Sequence, residues 1–111
     1  MSVFTPKALA NGQVAASATA IFTATAAEGT YVKFLSLFNT SMDQQTVIIY
    51  VNHSGTDRIF RQFVLEENES ADVLTGSESI ILESGDIIKA ESTDASVVDY
   101  IMTGVEQTAD P

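Results

Sequence analysis

Residues 30–52 read TYVKFLSLFNTSMDQQTVIIYVN, two β-branched and aromatic stretches divided by a polar segment. Successive side chains of a strand point to opposite faces. The first stretch then puts Val32, Phe34 and Phe38 on one face and Tyr31, Leu35 and Leu37 on the other, with Lys33 and Ser36 as exceptions. The second opposes Val47, Ile49 and Val51 to Ile48 and Tyr50, and further along SVVDYIMTG opposes Val98, Tyr100 and Met102 to Val97 and Ile101. A strand of a two-sheet sandwich needs only one apolar face. The surplus face can lie under a loop or the N-terminal segment. Burial against another subunit or partner is the favoured alternative, because extended apolar patches are uncommon on monomers, and cyclic homo-oligomers cover them. Tyr31, Leu35, Leu37, Tyr50 and Tyr100 are the residues expected at that oligomer interface.

Outward from this core, stretches rich in Val, Ile, Tyr and Phe alternate with Gly, Asn, Asp and Ser clusters at the short spacing of an all-β protein. Strands are predicted near 14–24, 30–39, 45–52, 58–65, 70–74, 79–83, 86–92 and 96–104. Asn11-Gly12, Ser54-Gly55 and Ser84-Gly85 supply turns, Gly29 and Gly76 fall in other gaps, and Pro6 and Pro111 lie outside every predicted strand. The expected architecture is all-β: a single β-sandwich domain of jelly-roll or immunoglobulin-like kind with about eight strands. Residues 1–12 form an extended N-terminal arm, 13–106 the sandwich and 107–111 a C-terminal tail.

The chain has 111 residues, enough for one core, and 45% of them are apolar. Fifteen acidic and five basic side chains give a net charge of −10, which repels nucleic acid and anionic membranes. Without cysteine there is no disulfide, thiolate nucleophile or cysteine-ligated metal. The first twenty residues lack the continuous apolar stretch of a signal peptide, and no stretch reaches the roughly 18 apolar residues of a membrane span.

Chemistry finds little support. His53 is the single histidine, in the turn VNHSGTD with Ser54 and Asp57, and a catalytic triad draws its members from separate elements. The run LEENESAD gathers Glu66, Glu67, Glu69 and Asp72 without the alternating ligand pattern and glycine bend of a calcium loop. Asn39-Thr40-Ser41, Asn52-His53-Ser54 and Asn68-Glu69-Ser70 match glycosylation sequons but read better as turn residues. A carboxylate pair could hydrolyse glycosides, yet short loops give no walls for a sugar cleft. No enzyme activity and no cofactor are expected.

The segments KFLSLFNTSMDQQTVIIYVN, RQFVLEENESADV and ILESGDIIKAESTDASVVDYIMTGVE resemble small structural proteins of tailed-bacteriophage virions. In that type a strand ends in L-x-N-T-S (here Leu37 to Ser41), a V-x-I-Y-V strand follows (Val47 to Val51), and a glycine-aspartate corner (Leu82 to Ile87) leads to a last strand ending G-V-E (Gly104 to Glu106). The resemblance covers about residues 20–106. It implies a non-catalytic β-sandwich subunit, often trimeric, made in the host cytoplasm and carried in the virion. Capsid decoration or cement, bound to the major capsid protein, is the most specific version. Neck, tail or fibre components and a glycan-binding module with stacking Tyr and Phe are the alternatives.

The corner within SIILESGDIIKAES (79–92) also resembles the glycine-aspartate turn of cupins. One histidine cannot supply their nitrogen-rich metal set, so a scaffold corner is expected, with Glu83 and Asp86 in water and Ile81 and Ile87, or their neighbours, in the core.

Overall fold

The computed structural model describes residues 2–109 and, apart from residues 2 and 75–78, their side chains. Eight strands follow in order: β1 (Ser2–Gln13), β2 (Thr19–Thr23), β3 (Thr30–Asn39), β4 (Gln45–His53), β5 (Thr56–Leu65), β6 (Ser70–Leu82), β7 (Ile87–Ser92) and β8 (Val98–Ala109). They form two four-stranded antiparallel sheets, β1-β8-β3-β6 and β2-β7-β4-β5. The sequential pairings are nested: β4 with β5, β3 with β6, β2 with β7 and β1 with β8. One long double ribbon has been wrapped so that alternate rungs fall in opposite sheets, the jelly-roll form of a sandwich. That topology replaces the immunoglobulin-like alternative.

Leu35, Leu37, Ile49, Leu65, Leu74, Leu82, Ile88 and Met102 fill the space between the sheets, with Val32, Val47 and Val98 completing the layer. Full burial of each large side chain contributes about 1.5–3 kcal/mol relative to exposure. The strand assignments near 30–39, 45–52 and 86–92 match the observed elements. Others differ for identifiable reasons.

The expected arm at 1–12 is strand β1, paired with β8 from Ser2↔Ala109 to Gln13↔Asp99. Pro6 therefore lies inside a strand, opposite Val105. β1 is a sheet edge, where a missing N–H can face solvent and is tolerated. The expected tail is the end of β8 through Ala109, while residues 110–111 lie outside the described residues. Predicted strands 70–74 and 79–83 are one strand, β6, whose span includes the Gly76 position. Its irregularity appears as a register shift opposite Val32 and Phe34.

A bulge in β3 decides what the sandwich presents to solvent. Against β8, Val32 pairs with Gly104 and Phe34 with Thr103, so Lys33 is an extra residue. A bulge reverses the alternation beyond it. Val32, Leu35 and Leu37 consequently share the core face, and Tyr31, Phe34, Ser36 and Phe38 face outward. Gly104 makes room for this bulge: a Cβ there would overlap the carbonyl oxygen of Tyr31 and stand 3.0 Å from Leu9 Cδ1.

Asn39 is wholly buried at the end of β3. Its Nδ2 donates to the carbonyls of Asp43 (2.8 Å), Glu66 (3.1 Å) and Leu65 (3.2 Å), and its Oδ1 accepts from Ser41 N (2.9 Å) and Oγ (2.7 Å). The Leu-x-Asn-Thr-Ser motif is thus a latch joining the β3-β4 and β5-β6 connections across the sandwich.

Candidate functional site

The outer face of the β1-β8-β3-β6 sheet is apolar. β3 contributes Tyr31, Phe34 and Phe38, β8 contributes Ile101 and Val105, β1 contributes Phe4, and β6 contributes Ile81. Phe4, Ile101 and Ile81 are 58%, 55% and 63% exposed, values that identify a solvent-facing surface rather than a second core. Phe4 and Tyr31 meet edge to face with ring centroids 6.3 Å apart, and the Tyr31 hydroxyl donates to Gln107 Oε1 at 3.3 Å. The aromatic end of the face is therefore ordered by its own contacts.

Charge is sparse and polarised on this face. Lys33 stands at the bulge, beside a shallow hollow lined by Pro6, Ala8, Thr103 and Val105. Asp99 lies at the opposite end, opposite Phe38, where Gln13 Nε2 donates to its Oδ1 at 3.2 Å. Asp72 of β6 pairs with Ser36. The basic bulge and the acidic end are separated along the strands by Phe34, Ser36, Thr103 and Ile101.

The outer face of the other sheet mixes exposed apolar residues, Ile59 (61%) and Val64 (52%) of β5, with a polar network. Tyr50 donates its hydroxyl hydrogen to Glu91, and that bond, reinforced by burial and the nearby carboxylates, raises the Tyr50 pKa. Asp57 accepts from Asn52 Nδ2 at 2.6 Å and pairs with Lys89 Nζ at 3.1 Å, and both partners hold its carboxyl below the ordinary value. These groups satisfy one another across β4, β5 and β7.

Of the five residues expected at an oligomer interface, three are core. Leu35 and Leu37 are 0% exposed and Tyr100 is 8% exposed, because the bulge at Lys33 and the inward register of β8 turn them between the sheets. Tyr31 and Tyr50 do face outward, on different sheets. The five do not form one surface. Phe4, Ile81 and Ile101 were not among them; the signal for Ile101 was its alternation against Tyr100 and Met102.

The other chemical candidates resolve into structure. His53 Nδ1 lies 2.7 Å from Asp86 Oδ1, and Asp86 Oδ2 accepts from Glu83 N at 2.9 Å. The hydrogen bond and charge of Asp86 raise the His53 pKa. Asp86 is buried, contrary to its expected place in water, because it closes the β6-β7 corner from inside. Of the alternatives, the neighbours Leu82 and Ile88 enter the core there, and Ile81 and Ile87 do not. In the acidic run, Glu69 Oε1 caps Glu66 N at 2.8 Å and Gln44 Nε2 holds Glu66 Oε1 at 2.6 Å. No group of three or more His, Asp or Glu side chains able to hold a metal occurs among the described residues. Asn39 and Asn52 are buried, whereas Asn68 is exposed in a left-handed turn with φ of 56°.

No protein-family model matches the chain, and no curated protein matches it. Among solved structures, a chain from work on Bacillus endospore appendages, described as a novel family of disulfide-linked pili, superposes with a TM-score of 0.57. The identity is 16%, over 99% of this chain and 90% of that one. The likeness is one of fold. A sequence without cysteine has no disulfide to share with it.

Proposed function

We propose that this chain is a non-catalytic structural subunit that works by burying the outer face of its β1-β8-β3-β6 sheet in an assembly with its own copies. The exposed Phe4, Phe38, Ile81 and Ile101, with the half-buried Tyr31 and Phe34 between them, carry the reading. A patch of this kind on a monomer marks an interaction surface. The net charge of −10 keeps free copies apart until this face brings them together.

The virion setting rests on the sequence resemblance to small tailed-phage structural proteins, and capsid decoration or cement, clasped to the major capsid protein, is its most specific form. A fibre-like component is the second reading, favoured by the likeness in fold to a chain from disulfide-linked pili. Sedimentation of the wild type against Ile101→Asp and Phe38→Asp, followed by mixing with undecorated phage heads, tests both levels. Self-association lost in the variants and stoichiometric head binding are expected. A wild type that stays monomeric and binds no heads overturns the proposal, and association without head binding favours the fibre reading.

A further inference from the structure

We infer that the occupant of the exposed face is a second copy of this chain, packed on it about a two-fold axis that crosses β3 between Phe34 and Ser36. This rests on the reading of that face as the working surface, and adds the symmetry and the contacts.

The face has the size for such a partner. About this axis the strands overlap over roughly nine residues each, and four strands about 4.8 Å apart then cover roughly 600 Å². Counted on both partners that is about 1,200 Å², the lower end of specific interfaces. Sheets stacked in this way run within about 30° of one another, as twisted sheets do.

Side chains along the strands are laid out to match. Outward residues occur in the order Tyr31, Phe34, Ser36, Phe38 on β3, aligned with Val105, Thr103, Ile101, Asp99 on β8. A two-fold axis lying across the strands lays each strand antiparallel over its own copy, with residues exchanged about the axis. Between Phe34 and Ser36 this sets the large ring of Phe34 over the small Ser36 of the second copy, and Ile101 over Thr103. Large meets small at both central positions, the packing that interdigitated sheets require.

The same axis also sorts the charges. Lys33, one residue from Phe34 at the bulge, comes beside Asp99 of the second copy, with Asp72 on the other flank; symmetry repeats the contact at the far end. An axis along β3 would instead set Lys33 near Lys33 and carry Asp99 over β6 of the second copy, away from Lys33. Two molecules of net charge −10 can approach through a face where basic and acidic ends exchange.

Charge reversal at the two ends supplies the test. Lys33→Glu sets an acidic side chain against Asp99 at both ends of its own dimer. Asp99→Lys sets a basic side chain against Lys33 at both ends of its own. Each variant therefore repels itself. In an equimolar mixture the heterodimer pairs the two introduced side chains, which are opposite in sign, at one end and the unaltered Asp99 and Lys33 at the other. Sedimentation velocity over a concentration series should show each variant alone weakened by about tenfold or more, and the mixture restored to near the wild-type dissociation constant. Ser36→Tyr, which fills the space opposite Phe34, should weaken association while leaving the melting temperature unchanged. If the variants weaken association but mixing does not rescue it, the two-fold arrangement is wrong and the face still docks. Variants that associate like the wild type also overturn it. A wild type monomeric at every concentration overturns this inference, and one that also binds no heads overturns the reading it rests on.

Discussion

The α-carbon of Gly104 lies against the carbonyl oxygen of Tyr31 so closely that no side chain fits between them. The contact occurs where Lys33 is squeezed out of β3 as a bulge, and it fixes which residues of that strand reach the core. Gly104→Ala must push β3 away from β8. A loss of about 2–3 kcal/mol is expected in urea titrations, at the upper end of overpacking costs.

Asn39 should be the most sensitive polar residue. Alanine there removes a donor from the carbonyl of Leu65, while Asp43 O keeps Ser41 Oγ and Glu66 O keeps Glu69 N. A buried unsatisfied group costs about 1–3 kcal/mol, and with the lost bonds to Ser41 this puts Asn39→Ala at about 2–4 kcal/mol by chemical denaturation.

Core and face should separate experimentally. Leu37→Ala opens a cavity between the sheets and should cost about 2–5 kcal/mol. Phe38→Ala, on the neighbouring outward position, should change monomer stability by under about 1 kcal/mol while weakening self-association. Equal effects on both properties would contradict the assignment of faces.

His53 gives the molecule a pH-dependent clasp between its β4-β5 and β6-β7 turns. Its folded pKa is raised by Asp86 above the unfolded value. The stabilisation is therefore fully present below about pH 6.5, the unfolded value, and is lost as pH rises through the higher folded pKa. Melting temperatures of wild type and His53→Gln should differ in mild acid and converge at alkaline pH. A constant gap across that range would remove the ion pair as its cause.

Strands and turns were legible wherever side-chain chemistry forced them. The two-residue Ser54-Gly55 loop, with both φ angles positive, is the hairpin turn that its composition predicts. β1 was not legible: VFTPKALANGQ has little alternation, a proline and a glycine, and becomes a strand because β8 offers it an edge. Tyr31 and Leu35 were placed on one face because a period of two cannot register a bulge. Gly104, the residue that permits the bulge, lies more than seventy positions away in the sequence. Leu35 and Leu37 lie in the core for that reason, and the surplus of apolar residues faces solvent as Phe38 and Ile101, with Phe34 half-buried beside them.

The nested pairing of strands also sets an order in time. β4 and β5 meet across two residues, whereas β1 and β8 meet across the rest of the sandwich, from Gln13 and Asp99 outward to Ser2 and Ala109. Each inner rung shortens the loop that the next must close, so the ribbon zips outward from Ser54-Gly55 against a loop entropy that grows only slowly. So many distant contacts place folding in the millisecond-to-second range. In stopped-flow experiments, Ile49→Val should slow folding, whereas Val105→Ala should chiefly speed unfolding. The two chain ends, drawn together last, are the first part of the molecule to come apart.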